Sequence, residues 1–326
     1  MNRKSFVRSL VPAMLGSMLV RPAAAQEAGW PSRPIRWIVP YAPGAGTDTT
    51  ARMLVDKLSA ALGQPIIIDN RGGAGGAIGT DAGAKAAPDG YTWTFGSDPP
   101  FTINPNLRKL PFDPRKDFVP VSLLAQVPLV LVVSPDLGVS TVRELIDMAK
   151  ASPGKLAVSS SGNGSSGHLA AEYFKAASGT DMLHVPYKGQ AEAVNDVVAG
   201  RVQLNFSAIG NVLQYAKAGR LKILGVASQR RFEGLPDVPT IAQAGVPDFE
   251  IAAFHGLLVP AGTPAAVVRR INEEVSRLLQ SPEVSARMQG LGFFPVGGPP
   301  ERLEQLLEND TAKWGRLIRS AGIKPD

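Results

Sequence analysis

The chain has 326 residues, room for two domains with cores of their own, and its 44% hydrophobic and 19% charged residues with 34 Gly and 28 Pro describe a turn-rich globular protein. There is no Cys, which excludes disulfides, thiolate metal sites and Cys nucleophiles, and the three His residues, His168, His184 and His255, have no metal-ligand spacing. The formal net charge is +6, most of it contributed by the first 25 residues.

Residues 1–25 read as a secretory signal. Arg3, Lys4 and Arg8 make a basic start, Ser9 to Val20 is mostly apolar, and Ala23, Ala24 and Ala25 offer small residues for cleavage near Ala25/Gln26. The apolar run falls short of the about 20 residues that span a bilayer. Removal takes Arg3, Lys4, Arg8 and Arg21 with no acid, leaving 30 basic against 28 acidic residues, a net charge of +2. No basic run or face then remains to suit nucleic acid or a membrane surface. A periplasmic location follows.

From Ile35 onward short apolar runs alternate with helical patterns, the mark of a largely parallel α/β sheet. Strands are expected at Ile35–Pro40, Ile66–Asp69 and Tyr91–Phe95, with helices at Thr47–Leu62 and Ala77–Ala87. A Pro-rich stretch, Leu110 to Pro114, leads to a long extended run, Phe118 to Ser134, fit to cross between domains. A second series follows: helices at Thr141–Ala151, Ser165–Ala177, Ala191–Ala199 and Asn211–Ala218, strands at Leu156–Ser160, Leu183–Pro186, Val202–Phe206 and Leu221–Ala227. Phe249–Pro260 is a second extended run, and Pro264–Leu279, Pro282–Gly290 and Pro300–Ala321 are helical. These last helices have no strands of their own and are expected to return to the first sheet. The result is a two-domain α/β protein: domain 1 from 31–128 and 254–326, domain 2 from 129–253, joined by two crossover strands acting as a hinge.

In such sheets ligands bind outside the carboxyl ends of the strands, where the strand-to-helix turns gather. The turn Pro40 to Asp48 brings glycines, Thr47 as a helix cap and the free N–H groups of a helix start, which suit an anion. Asp48 is equally explained by complementing the helix dipole. No Lys-Ser or Lys-Thr follows, and Thr50 stands where a dinucleotide turn would place its third Gly. Arg71 to Gly79 is glycine-rich with a spacing one residue too long for a dinucleotide site, so a turn at the cleft rim is expected and no cofactor. Ser159 to His168 adds hydroxyls to a third such turn; it departs from the hydrolase elbow because His168 replaces the final Gly. No Ser–His–acid order and no paired carboxylates stand out, so catalytic and metal residues are both expected to be absent.

Together these segments resemble the Bug-type receptors, the extracytoplasmic substrate-binding proteins of the tripartite tricarboxylate transporter family. The resemblance rests on Pro40 to Asp48, Asp69-Asn70-Arg71, Asn104-Pro105-Asn106-Leu107, Leu110 to Phe118, Ser160 to Ser165, His184 to Gly189, Leu235 to Thr240 and Pro260 to Pro264. It implies a Venus-flytrap fold, no enzymatic activity, and a small organic acid held by backbone amides, hydroxyls and water rather than by a basic clamp. Carried over by position, the first-domain contacts are Pro43, Gly44, Gly46, Thr47 and Asp48, and the second-domain contacts Ser161, Asn163, Ser165 and Ser166. Strand-end geometry adds Ser97, Tyr187, Ser207 and His255. Ala45 and Gln190-Ala191-Glu192 depart from the family pattern, and His255 holds a crossover position that is often aromatic. The implied ligand is a mono-, di- or tricarboxylate, an amino acid or an aromatic acid. The implied partners are integral membrane transporter subunits or, in a rival sensory role, a sensor kinase ectodomain, with the receptor itself a monomer. A rival of another class, a secreted hydrolase, would use one of Ser159 to Ser166 with His168 or His184; an oxidoreductase would use Gly73 to Gly79.

Overall fold

The computed structural model describes residues 29–324; the expected signal segment lies outside them. β1 (Ile35–Val39) runs parallel between β2 (Ile66–Asn70) and β3 (Thr92–Gly96). Its Ile35, Trp37, Ile38 and Val39 are all buried, as an apolar strand covered on both faces must be. α1 (Gly46–Leu62) and α2 (Ala77–Ala84) are its crossovers. α2 lies so close to the sheet that a Cβ on Gly79 would stand 2.6 Å from the Arg71 carbonyl oxygen and 2.7 Å from Pro40 Cα. Close packing therefore accounts for Gly79, while Gly73, Gly75 and Gly76 take positive φ in the turn ahead of α2.

Strands β2-β1-β3-β9-β4-β7-β5-β6 follow one another in hydrogen-bonded order. The two expected crossover runs form its middle: β4 (Phe118–Val133) is antiparallel to β9 (Ala252–Pro260) from Phe118 to Pro128. The register shifts after Pro120, where proline has no N–H to offer the ladder. Beyond Pro128, β4 enters a second set of strands, antiparallel to β7 (Leu204–Ala208) and β8 (Lys222–Val226). There β5 (Ala157–Ser160) is parallel to both β6 (Leu183–Pro186) and β7. α4 (Val142–Ala151), α5 (Ser166–Ser178), α6 (Gln190–Val198) and α7 (Ile209–Lys217) connect this set.

Three details differ from expectation. α1 begins at Gly46, so Ala45 takes the cap position and Thr47 lies inside the helix, its buried hydroxyl without a partner; Thr47 is not the cap. The Asp48 carboxylate accepts the Gly44 N–H and draws the turn in one residue earlier. β7 and α7 are displaced in opposite directions along the chain, because pairing with β4 carries β7 on to Ala208 and leaves Ile209 as the first helical residue. A π-helical turn (Pro99–Ile103) and α3 (Asn104–Leu107) occupy a stretch whose prolines hide its helical character.

The C-terminal helices do not all return to the first strands. α8 (Ala265–Leu279) packs on α1 and β4, and α9 (Pro282–Gly290) on α1 and the short β10 (Phe294–Pro295). α10 (Pro300–Ser320) is shared. Its Leu303 joins Phe101, Phe112, Phe118 and Leu258 in the first core, while Trp314, Leu317 and Ile318 join Leu131, Phe174 and Phe249 in the second. At 1.5 Å per residue its 21 residues are long enough to reach both.

Candidate functional site

Four helices begin around one chamber of about 250 Å³. Gly46 opens α1, Ser166 and Gly167 open α5, Gln190 opens α6, and Ala208, Gly210 and Asn211 lie at the start of α7; all line it. Each start leaves backbone N–H groups without helical partners and carries the positive end of a helix dipole, so their convergence makes a positive field without a charged side chain. Close packing sets the geometry. A Cβ on Gly167 would stand 2.8 Å from the Phe206 carbonyl oxygen, and one on Gly210 2.9 Å from that of Leu291.

Ser161, Ser165, Ser166 and Ser207 supply hydroxyls, and Val127, Leu129, Phe206 and Phe293 an apolar wall. His255 closes the chamber, its Nδ1 hydrogen-bonded to Thr50 Oγ1 at 2.9 Å and its ring edge-on to Phe95 at 5.1 Å. Burial pushes its pKa down to about 3, so it is a neutral hydrogen-bonding group here. Gln190 Nε2 donates to Ser207 Oγ at 2.9 Å.

An outer chamber of about 580 Å³ shares Pro99, Ser161 and Ser165 with the inner one. Asn163 and Tyr187 line it, together with Tyr41, Asn104, Arg108 and Lys188. Tyr187 turns its hydroxyl to donate to Asp196 Oδ2 at 2.7 Å. Burial and that carboxylate raise its pKa to about 12. The structure thus gathers Gly46, Ser161, Asn163, Ser165, Ser166, Tyr187, Ser207 and His255 around two joined chambers.

Pro43, Gly44, Thr47, Asp48 and Ser97 line neither. Asp48, 2% exposed, accepts from Gly44 N–H and Arg52 Nε at 2.8 Å on Oδ2 and from Asn70 Nδ2 at 3.0 Å on Oδ1. Burial alone would raise its pKa, but the bonds from Arg52, Gly44 and Asn70 outweigh it and hold the carboxyl below its usual range. Asp48 thus pins the turn from behind. Ser97 Oγ is hydrogen-bonded to the Tyr41 hydroxyl at 2.9 Å and acts behind that ring.

Sequence reasoning missed Gln190, Asn211, Asn104, Arg108 and Phe293. The start of α7 directly follows the end of a strand, β7, and was legible in principle; Asn104 and Arg108 lie in the unassigned stretch. Arg108 and Lys188 also alter the expectation of a site without basic side chains: the inner chamber fits it, and the outer one carries two cations. A larger depression of about 960 Å³ runs along α10 beside β4 and β9, and takes in none of the glycine turns.

A family model described as "Tripartite tricarboxylate transporter family receptor" matches residues 50–323. The chain belongs to this family of receptors. A protein of Pseudomonas sp. (strain P51), described as the UPF0065 protein in the tcbD-tcbE intergenic region, is 41% identical over 290 residues, 89% of this chain and 86% of that protein. Protein BugT of Bordetella pertussis is 36% identical over 297 residues, 90% and 91% of the two chains. Among solved structures, R. palustris Rpa4515 with adipate superposes with a TM-score of 0.84 at 36% identity, covering 91% of this chain and all of the other.

The receptor therefore has the two-domain fold of the periplasmic solute-binding proteins, with β4 and β9 as its crossover strands, and receptors of this family are periplasmic and not enzymes. One contact in it does imitate catalysis: Ser160 Oγ lies 2.7 Å from His184 Nε2, whose ring stacks on His168 at 3.8 Å. Ser160 is fully buried, lines neither chamber, and is also hydrogen-bonded with the Gly162 backbone, so in the receptor this contact shapes the turn ahead of α5.

Proposed function

We propose that this receptor captures a small carboxylate in the cleft between its strand-end turns and passes it to integral membrane transporter subunits. The observation that carries this reading is the convergence of four helix starts on one small chamber with no charged side chain. A carboxylate placed there accepts from backbone N–H groups and from the hydroxyls of Ser161, Ser165 and Ser166, in charge-assisted bonds of about 1.5–3 kcal/mol each. Adipate in Rpa4515 supports the ligand class.

In this reading the two lobes are residues 31–128 with 254–326 and residues 129–253, closing about β4 and β9 on a monomer. α10 belongs to both and limits how far they open. The signal at 1–25 delivers the chain to the periplasm.

Isothermal titration of the mature chain with organic acids, amino acids and aromatic acids tests the reading. Micromolar or tighter binding of at least one carboxylate, lost on conversion to its amide, is the expected result. Binding of neutral or cationic solutes with uniform failure of carboxylates overturns it.

A further inference from the structure

The two chambers differ in charge. Among the described residues no charged side chain lines the inner one, where His255 is neutral, whereas the outer one has Arg108 and Lys188 and no carboxylate. Lys188 is exposed at the rim, but Arg108 is partly buried, with its Nε covered and without a hydrogen-bond partner among the described residues. Asn104, one turn before Arg108, is 2% exposed and lines the same chamber, and its Nδ2 also has no partner among the described residues. That amide stands between the glycine turns of the two strand sets. Its Nδ2 is 3.2 Å from where a Cβ on Gly75 would be, and its Oδ1 3.7 Å from the same point on Gly164. Buried donors are ordinarily paired, and here an amide and a guanidinium nitrogen are left unpaired on one wall.

We propose that Arg108 and Asn104 form a distal anion subsite, so that the preferred ligand is an elongated dianion. Its first carboxylate sits among the helix starts and its second reaches the outer chamber past Pro99, Ser161 and Ser165. This rests on the receptor reading above and adds which carboxylates the site selects. The guanidinium fork matches a carboxylate bidentately, and the Asn104 amide supplies a further donor. Arg108 is then the residue that separates dicarboxylates from monocarboxylates of the same length.

The test is isothermal titration of the full mature chain with straight-chain dicarboxylates from succinate to suberate, each against the monocarboxylate of equal carbon number. The wild type is expected to favour the dianion at its best length at least tenfold. Arg108→Leu should cost the dianion at least ten times more affinity than its monoanion, and Arg108→Lys, which keeps the charge and loses the fork, should retain part of the preference. Equal binding of the two classes by the wild type, or an undiminished preference in a folded Arg108→Leu protein, overturns the subsite and leaves the receptor reading standing. Failure of every straight-chain acid to bind overturns the subsite, and uniform failure of carboxylates with binding of neutral or cationic solutes overturns both. Should Arg108→Leu not fold, Asn104→Ser takes its place, with the same two outcomes.

Discussion

The turns that open α1 and α5 look alike in sequence, both rich in glycine and both joining a strand to a helix, yet they are held by opposite means. The α1 turn is fixed by a buried carboxylate, Asp48, which accepts from Gly44, Arg52 and Asn70. The α5 turn is fixed by a hydroxyl and an imidazole: Ser165 Oγ accepts the His168 N–H at 3.2 Å, and His168 Nδ1 accepts the Gly164 N–H at 3.1 Å. α5 and α7 have no acidic residue in their first turns. The positive end of α1 is thus already partly answered by its own anion, while those of α5 and α7 are left for a ligand. At the inner chamber the second strand set should do most of the gripping, and the first should supply shape.

The largest expected effect separates these roles. Asp48→Ala removes three hydrogen bonds to a buried carboxylate. It should cost about 2–3 kcal/mol of stability, with the share of the half-exposed Arg52 discounted for solvent screening, and be read as a lower urea midpoint. Carboxylate affinity of the folded variant should change by less than about threefold, since Asp48 lines neither chamber. A large loss of affinity with unchanged stability would reverse the comparison.

Ser165→Ala is the mirror image. It removes a cap, for about 1 kcal/mol of stability. It also removes a hydroxyl common to both chambers, so carboxylate affinity should fall about tenfold by titration calorimetry. Equal affinity in this variant would mean that the turn of α5 orders the cleft without touching the ligand.

Much of this was readable from residue order, and the reasons are specific. Strand-to-helix alternation placed all but the shortest elements, because Ile35 to Val39, Phe118 to Val133 and Ala252 to Pro260 are apolar runs bounded by prolines, glycines or polar turns. The family resemblance supplied Ser161, Ser165 and Ser166 and strand-end geometry Ser207 and His255, which all meet at one chamber, while Ser97, from the same geometry, does not line it. What escaped was whatever depended on direction within a turn. Asp48 lies in the first turn of α1 and Ser161 directly after β5, both in stretches read as ligand-facing, and only the fold shows that Asp48 faces Asn70 and Arg52, away from the cleft. Arg108 escaped because Pro99, Pro100 and Pro105 mask the helical turns that bring it to the outer chamber. The double membership of α10 is also invisible in its periodicity, since one amphipathic stripe serves two cores in succession.

The smallest effect concerns pH, and it places a balance on the α1 side of the cleft. His255 is held neutral, its pKa pushed down to about 3 by burial, so the folded state resists a proton that the unfolded chain takes up below about 6.5. Its contribution to stability is complete above pH 6.5 and declines as pH falls, by about 1 kcal/mol at pH 5.5. Asp98, whose Oδ2 accepts the Phe254 N–H of β9, has the opposite sign. Burial, and then the nearby Asp310, raise its pKa to about 8, so the folded state keeps a proton that the unfolded chain releases, and stability declines as pH rises from about 4 towards 8. Over pH 5.5 to 6.5 the two slopes oppose each other, and Asp310, its pKa raised to about 6 by burial, adds to the Asp98 side, so the wild-type urea midpoint should fall gently on alkalinisation. Asp98→Asn should expose the His255 limb, a midpoint that falls on acidification, and His255→Gln should expose the Asp98 limb, a midpoint that falls on alkalinisation. If both variants keep the wild-type slope, neither group is held in the protonation state that its burial requires, and His255 would face the ligand as a cation. The first strand set would then contribute charge as well as shape, and the contrast between the two turns would fail on that side.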